Sequence, residues 1–436
     1  MTITKLSRRT LLRHAGATGL AVAATGALAA CGYGKDTSTA DGTKTLNVSW
    51  WGDATRAGLY RNALDLFGKD HTDIKFASQF ADLDPYLQRL ATQAAAGSLP
   101  DVFWMRDTHV SRYAANSLKL DGLLGGTIKT DDIGDAAVAD GRVGDGVYAL
   151  PTHYVGQCTI VDDDVLAKYK LTYPADPNWD DLAALMTEAA KAGGEGHWGS
   201  NDPTLGSTQR HFEAWVRQSG AELYTTQGKI GFGSDELGSW LAFWQTLRKA
   251  GAIPPAATEV EADTSNDTNV LVTNKAPMLW ESSNHLGQWQ GLTKHKLSMH
   301  SLPLRKDGSK DWWFFPPILI DISAKTGLSD VCAQLVNFFI NSEPAANITM
   351  LNQGAPSSAK IREALIPNLK PTDAAFVEQI NREMTYGRRP FPVRPKGNEQ
   401  VNDALTRVSQ AVAYGKQTVS AAVSDFLKQA PGYLTA

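Results

Sequence analysis

Apolar and polar positions alternate through TLNVSWW, residues 45 to 51, which predicts a strand. The period then changes to a helical one in AGLYRNALDLFGKDH, where Leu59, Ala63, Leu64 and Phe67 recur on one face. A second β-rich run, DIKFASQF, completes a βαβ unit. Next come a helix through YLQRLATQAAAG, with Pro85 in its first turn and Gly97 ending it, and a short buried strand, DVFWM. Strands alternating with helices predict an α/β fold with a largely parallel sheet covered on both faces.

The stretch DGRVGDGVYALPTHYVGQCTIVDDDVLAKY reads as a Gly-rich turn, a hairpin and a long strand leading out of the first lobe, with a crossover near Tyr154 to Gln157. Asn178 and Asp181 are spaced as a capping box that opens the helix WDDLAALMTEAAKAG. Helices near 207 to 219 and 235 to 250 follow, the second with Leu237, Trp240, Leu241, Trp244 and Leu247 as a core stripe. APMLWESS and WWFFPPILIDIS read as further strands, before the helices SDVCAQLVNFFIN and NEQVNDALTRVSQAVAYG.

The doubled tryptophan of SWWGD cannot sit on one face of a strand. Trp50 is in phase with Leu46 and Val48 and is expected in the core; Trp51 leaves that face just where Gly52 allows a turn. Ligands of open α/β sheets bind beyond the carboxyl ends of the strands. Trp51, Asp53, Gln79 and Asp107 all fall there.

The N-terminus alters the picture, because SRRTLLRHAGATGLAVAATGALAACG has a basic start, an apolar middle and small residues before Cys31. Its apolar run from Ala15 to Ala30 falls short of the ~20 residues that span a bilayer. Arg8 and Arg9 resemble a twin-arginine export signal, and Leu28-Ala29-Ala30-Cys31 a bacterial lipobox, so Cys31 is the expected lipidation site. Removing residues 1–30 deletes Lys5, Arg8, Arg9 and Arg13 and no acid, taking the formal charge from −4 to −8. Charges are scattered without basic runs, so no nucleic-acid partner is expected. Cys158 and Cys332 remain, which excludes a disulfide framework; two separate buried thiols are favoured over a pair.

Motifs for a zinc protease, a P-loop, a nucleophile elbow or a calcium loop are absent, and no cofactor or metal site is expected. His295 and His300 do not have helical metal-ligand spacing and read as surface residues. The 12 Trp and 12 Tyr suit sugars, whose C–H faces stack on rings while hydroxyls take polar partners. Two tryptophans each losing about half of ~200 Å² yield about 5 kcal/mol gross, whereas micromolar affinity needs about 8 kcal/mol net. Polar groups must share such a site.

LNVSWWGDATRAGLYRNALDLFGKDH, LATQAAAGSLPDVFWMRD, GDGVYALPTHYVGQCTIVDDDVLAKYKL, NWDDLAALMTEAAKAG, VTNKAPMLWES and AQLVNFFINSEPAANITMLNQGAPSS together resemble the extracellular solute-binding proteins of family 1, the maltose-binding-like receptors of ABC importers. The resemblance implies the two-lobed type II periplasmic-binding-protein fold, with 31–44 as tether, 45–156 plus 297–343 as lobe 1 and 157–296 plus 344–436 as lobe 2. It implies a monomer that carries a sugar or oligosaccharide between its lobes to ABC permease subunits. Family contact positions map onto Trp51, Asp53, Gln79, Asp107, Tyr154, Trp280, Glu281, Asn284, Trp312 and Trp313. DWWFFPP departs from a glycine common before the return strand, and IVDDDVL from a YNKDL-like segment. Two alternatives stay open: a lipid-anchored glycoside hydrolase or lyase using Asp53 and Asp107 as its carboxylate pair, and the same fold holding a non-sugar solute.

Overall fold

The computed structural model describes residues 42–434 apart from 207, 263–264, 308–309, 311–315, 387–388, 390 and 393. Cys31, Trp312 and Trp313 lie outside the described residues. The strands are β1 (Lys44–Trp51), β2 (Ile74–Ala81), β3 (Val102–Arg106), β4 (Arg142–Val143), β5 (Gly146–Val147), β6 (Ala149–Tyr154), β7 (Gln157–Asp162), β8 (Met278–Ser282), β9 (Leu297–Ser301), β10 (Pro317–Ile322) and β11 (Ala355–Pro356). Among the described residues, one sheet has the order β11-β6-β10-β3-β1-β2, a second the order β8-β7-β9, and β4 and β5 pair as a hairpin.

The first βαβ units form as the periodicity predicts, and β1 runs parallel to β2 and β3. The rest of the large sheet differs from the expected parallel arrangement. β10 is antiparallel to β3 and β6, and β11 to β6; β10 enters from the second lobe and runs back across the sheet. The expected long strand after the hairpin is broken: β6 belongs to the large sheet and β7 to the small one, with only Val155 and Gly156 between them. The chain changes sheet again beyond the expected boundaries at 297 and 344. β9 still pairs with β7, while the helix Glu343–Thr349 packs on the helix Ala54–Gly68 and β11 pairs with β6.

Each sheet has its own core. Leu46, Val48 and Trp50 of β1 pack with Tyr60, Trp104 and the helix Ser329–Asn341, whereas Phe103, Met105, Tyr86 and Leu90 fill the other face. In the second lobe the stripe Leu237, Trp240, Leu241, Trp244 and Leu247 is buried on the helix Ser234–Lys249, as expected. The capping box of Asn178 and Asp181 opens the helix Trp179–Gly193, and Gly97 takes the left-handed conformation that ends Leu83–Ala96. Cys158 and Cys332 are buried free thiols. His295 is not simply solvated, since its Nδ1 lies 2.7 Å from Asp162, and His300 stacks on Tyr173. Among the described residues, no helix is long and apolar enough to cross a membrane.

Trp50 is fully buried, with its ring 5.1 Å from Tyr60 and 6.4 Å from Trp104, whereas Trp51 is half-buried at the strand end. Trp50→Ala is therefore expected to cost about 3–5 kcal/mol in urea unfolding. Trp51→Ala should cost less than half as much, because part of its ring already meets solvent.

Candidate functional site

β1 ends at Gly52, whose φ of 141° and whose missing Cβ leave room for Arg56; a Cβ there would sit 2.6 Å from the Arg56 Cδ. Only glycine allows both the turn and that close approach. Arg56 in consequence folds back over the strand end, donating to the Trp51 carbonyl at 2.9 Å and to the Asn352 carbonyl at 2.8 Å, with Nε on Asn352 Oδ1. Trp51, Arg56, Arg106 and Asp107 then form one wall of a cleft of about 560 Å³. The facing wall comes from the second lobe: Asn201, Asp202, Arg210 and His211, then Glu259, and Trp280, Glu281, Asn284 and His285 around the end of β8. Gln157, just past the crossover, closes the back.

The two walls are joined by an ion-pair cluster. Asp107 follows β3, and Arg210 of the helix Thr208–Gln218 meets it with two donors at 2.8 and 3.1 Å. Arg394 stands 3.7 Å from the same carboxylate and pairs with buried Glu213 at 2.6 and 2.7 Å. Burial alone would raise the Asp107 pKa, but the charge and hydrogen bonds of Arg210, with Arg394 and Arg106, outweigh it and hold the carboxyl well below the usual range. Burial likewise opposes the charge on Arg394, and Glu213 and Asp107 reverse that, raising its pKa.

Across the cleft, Glu281 accepts from the Ser282 backbone at 2.6 Å and from Trp289 Nε1 at 3.2 Å, and its Oε1 lies 3.1 Å from His285 Nδ1. Burial raises its pKa, yet these partners together hold it below the ordinary value. His211 is pushed by burial down to about 4, so it meets the cleft as a neutral imidazole. Asp202 is committed to Arg248 and to both the backbone and hydroxyl of Thr204.

Of the residues expected at a site, Trp51, Asp107, Trp280, Glu281 and Asn284 come together around the cleft. Three others do not line it. Asp53 is exposed and caps the helix Ala54–Gly68 through its Oδ1 on Arg56 N at 2.9 Å. Gln79 sits opposite Ser49 on β2, the sheet edge farthest from the second lobe's strands. Tyr154 is in the core, 1% exposed, with its hydroxyl donating to Asp140 at 2.9 Å. Trp280 lines the cleft but does not offer a free ring face: it is 4% exposed and stacked on Trp179 at 5.3 Å and 7°. Asp53 and Asp107 are thus no catalytic pair, one being a helix cap outside the cleft and the other held by arginines.

Sequence reasoning missed Arg56, Arg106, Arg210, Asn201 and Asn352. Arg106 adjoined a recognised position in FWMRD, so strand-end reasoning reached within one residue of it. Asn201, Arg210 and Asn352 come from distant segments with no local pattern to mark them.

Because the folded-state pKa of Asp107 is depressed, its stabilisation is present above the ordinary carboxylate value and is lost as pH falls below it. Asp107→Asn is expected to cost about 3 kcal/mol at pH 7, since it strands buried arginine charge. Urea unfolding from pH 7 to pH 2 should also show a shallower acid loss in the variant than in wild type.

The model of the family described as bacterial extracellular solute-binding protein matches residues 49–316, more than half of the chain. A solved extracellular solute-binding protein of family 1 from Alicyclobacillus acidocaldarius is similar at 25% identity and a TM-score of 0.75, over 90% of this chain and 99% of its own. An oligogalacturonide-binding protein from Yersinia enterocolitica shares the fold at 20% identity and a TM-score of 0.76, over 90% of this chain and 99% of that one. So does an ABC substrate-binding protein from Listeria monocytogenes in complex with cycloalternan, at 17% identity and a TM-score of 0.74, with the same coverage. The chain belongs to the bacterial extracellular solute-binding protein family.

Proposed function

We propose that the protein is the substrate-binding component of an ABC importer, that it takes up a sugar or oligosaccharide in the interlobe cleft, and that lipidated Cys31 anchors it outside the cell membrane. The observation that carries the sugar reading is the make-up of the cleft: the half-buried Trp51 ring at one strand end, facing Glu281, Asn284 and Asn201 at the other. A ring surface beside clustered donors and acceptors matches the alternating faces of a pyranose. Names of similar proteins support the same class, one binding oligogalacturonides and another solved with cycloalternan. The cleft volume of about 560 Å³ is in the ordinary range for small-molecule sites, about 300–1,000 Å³. Release to a permease, rather than conversion, fits a cleft in which Asp107, Asp202 and Glu281 are engaged by arginines and hydrogen-bond donors.

Titration with a panel of oligosaccharides, followed by tryptophan fluorescence, should show saturable quenching or enhancement, because Trp51, Trp280 and Trp289 line the cleft. Silence across the panel overturns the sugar assignment. Trp51→Ala should weaken binding by roughly 10- to 100-fold, the loss of about 1.5–3 kcal/mol of ring burial. For the anchor, Cys31→Ser is expected to move the protein from the membrane fraction to the medium; unchanged membrane retention would rule that residue out.

A further inference from the structure

Arg106 ends β3 beside Asp107 and lines the cleft, and its guanidinium makes no hydrogen bond or ion pair among the described residues. Every other guanidinium of its neighbourhood is committed. Arg210 is bidentate on Asp107, Arg394 is paired with Glu213, and Arg56 is tied to the carbonyls of Trp51 and Asn352. Asp107 and Glu213 are therefore taken by Arg210 and Arg394 in direct contact, which leaves Arg106 without a direct partner among the described residues. Glu399, on the second lobe, attracts Arg106 through space without a direct pair.

Burial, and then the charge of Arg210, lowers the pKa of Arg106, the signature of a cation held where water solvates it poorly. An anion would relieve both. Two acids of the facing wall do not supply it: Asp202 is bound by Arg248, and Glu281 by His285, Ser282 and Trp289. Arg106 and Trp51 end adjacent strands and both line the cleft, while the register of β1 and β3 sets them on alternate faces of the sheet. A planar fork of donors in a cleft that also carries an indole suits a carboxylate attached to a pyranose ring.

We propose that Arg106 is the anion-docking residue of the cleft and that the ligand is an acidic sugar, a uronate or short oligouronate whose carboxylate pairs with the Arg106 guanidinium. This rests on the sugar reading above and narrows it. The Asp107 carboxylate does not repel such a ligand, because Arg210 and Arg394 already neutralise it.

The test is calorimetric titration of wild type, Arg106→Gln and Arg106→Lys with galacturonate, glucuronate, mannuronate and guluronate oligomers of one to four residues, beside the neutral hexose oligomers of the same linkage. Wild type should bind at least one acidic series more tightly than its neutral counterpart. Arg106→Gln should weaken that binding by roughly 10- to 100-fold. Arg106→Lys should recover part of it, keeping the charge without the fork. Tighter binding of neutral members, or uronate binding unchanged in Arg106→Gln, overturns the inference while leaving the sugar reading intact. Absence of binding in both series overturns the two together. The acidic-against-neutral comparison in wild type decides the matter even where a variant fails to fold.

Discussion

Asp107 sits where the two lobes meet, and an isolated carboxylate buried there would cost several kcal/mol. Arg210 and Arg394 remove that cost only by reaching it from the second lobe, so the relation of the lobes is set where their charges meet. Glu213 in turn accepts from the Arg394 Nη2 with both carboxylate oxygens. Much else follows from this geometry. The helix Thr208–Gln218 must present Arg210 and Glu213 toward the end of β3, and its apolar face is buried against the tryptophan core of the second lobe. The cleft walls take their spacing from that attachment and from the two-residue crossover between β6 and β7.

The aromatic wealth of the chain is mostly structural. Trp50, Tyr60, Trp104 and Phe339 interlock in one lobe, and Trp179, Trp215, Trp240, Trp244 and Trp280 in the other, at edge-to-face, tilted or stacked geometries with centroids 4.8–6.5 Å apart. Such clusters fill the interior with large rigid surfaces. Trp51 is different because Gly52 ends its strand abruptly and leaves one indole half covered at the cleft edge. The cleft wall is therefore mainly polar and cationic, with Trp51 as its half-covered ring, rather than a cage of stacked tryptophans.

Strand ends identified from alternation were a good guide to where a site lies and a poor guide to which side chains serve it. Trp51 and Asp107 do reach the cleft. Asp53, two residues beyond Trp51, turns instead to cap the next helix, since an unsatisfied amide lies within reach of its carboxylate. Gln79 occupies an equivalent strand end in sequence, yet β2 lies at the sheet edge, and edge position is a property of strand order that no single strand encodes.

What the sequence by itself determined is the local grammar: the parallel βαβ start, the capping box at Asn178, the stripe from Leu237 to Leu247, the separation of Trp50 from Trp51, and the crossover near Val155. Each depends on residues within a turn or two of one another, so periodicity and caps reveal it. Only the tertiary structure decided that β10 and β11 run antiparallel, that Trp280 spends its ring face on Trp179, and that Arg210 and Arg394 take Asp107 and leave Arg106 without a direct carboxylate partner among the described residues. Those outcomes depend on segments more than a hundred residues apart. Burial and charge neutralisation act on proximity in space, which the order of residues does not state.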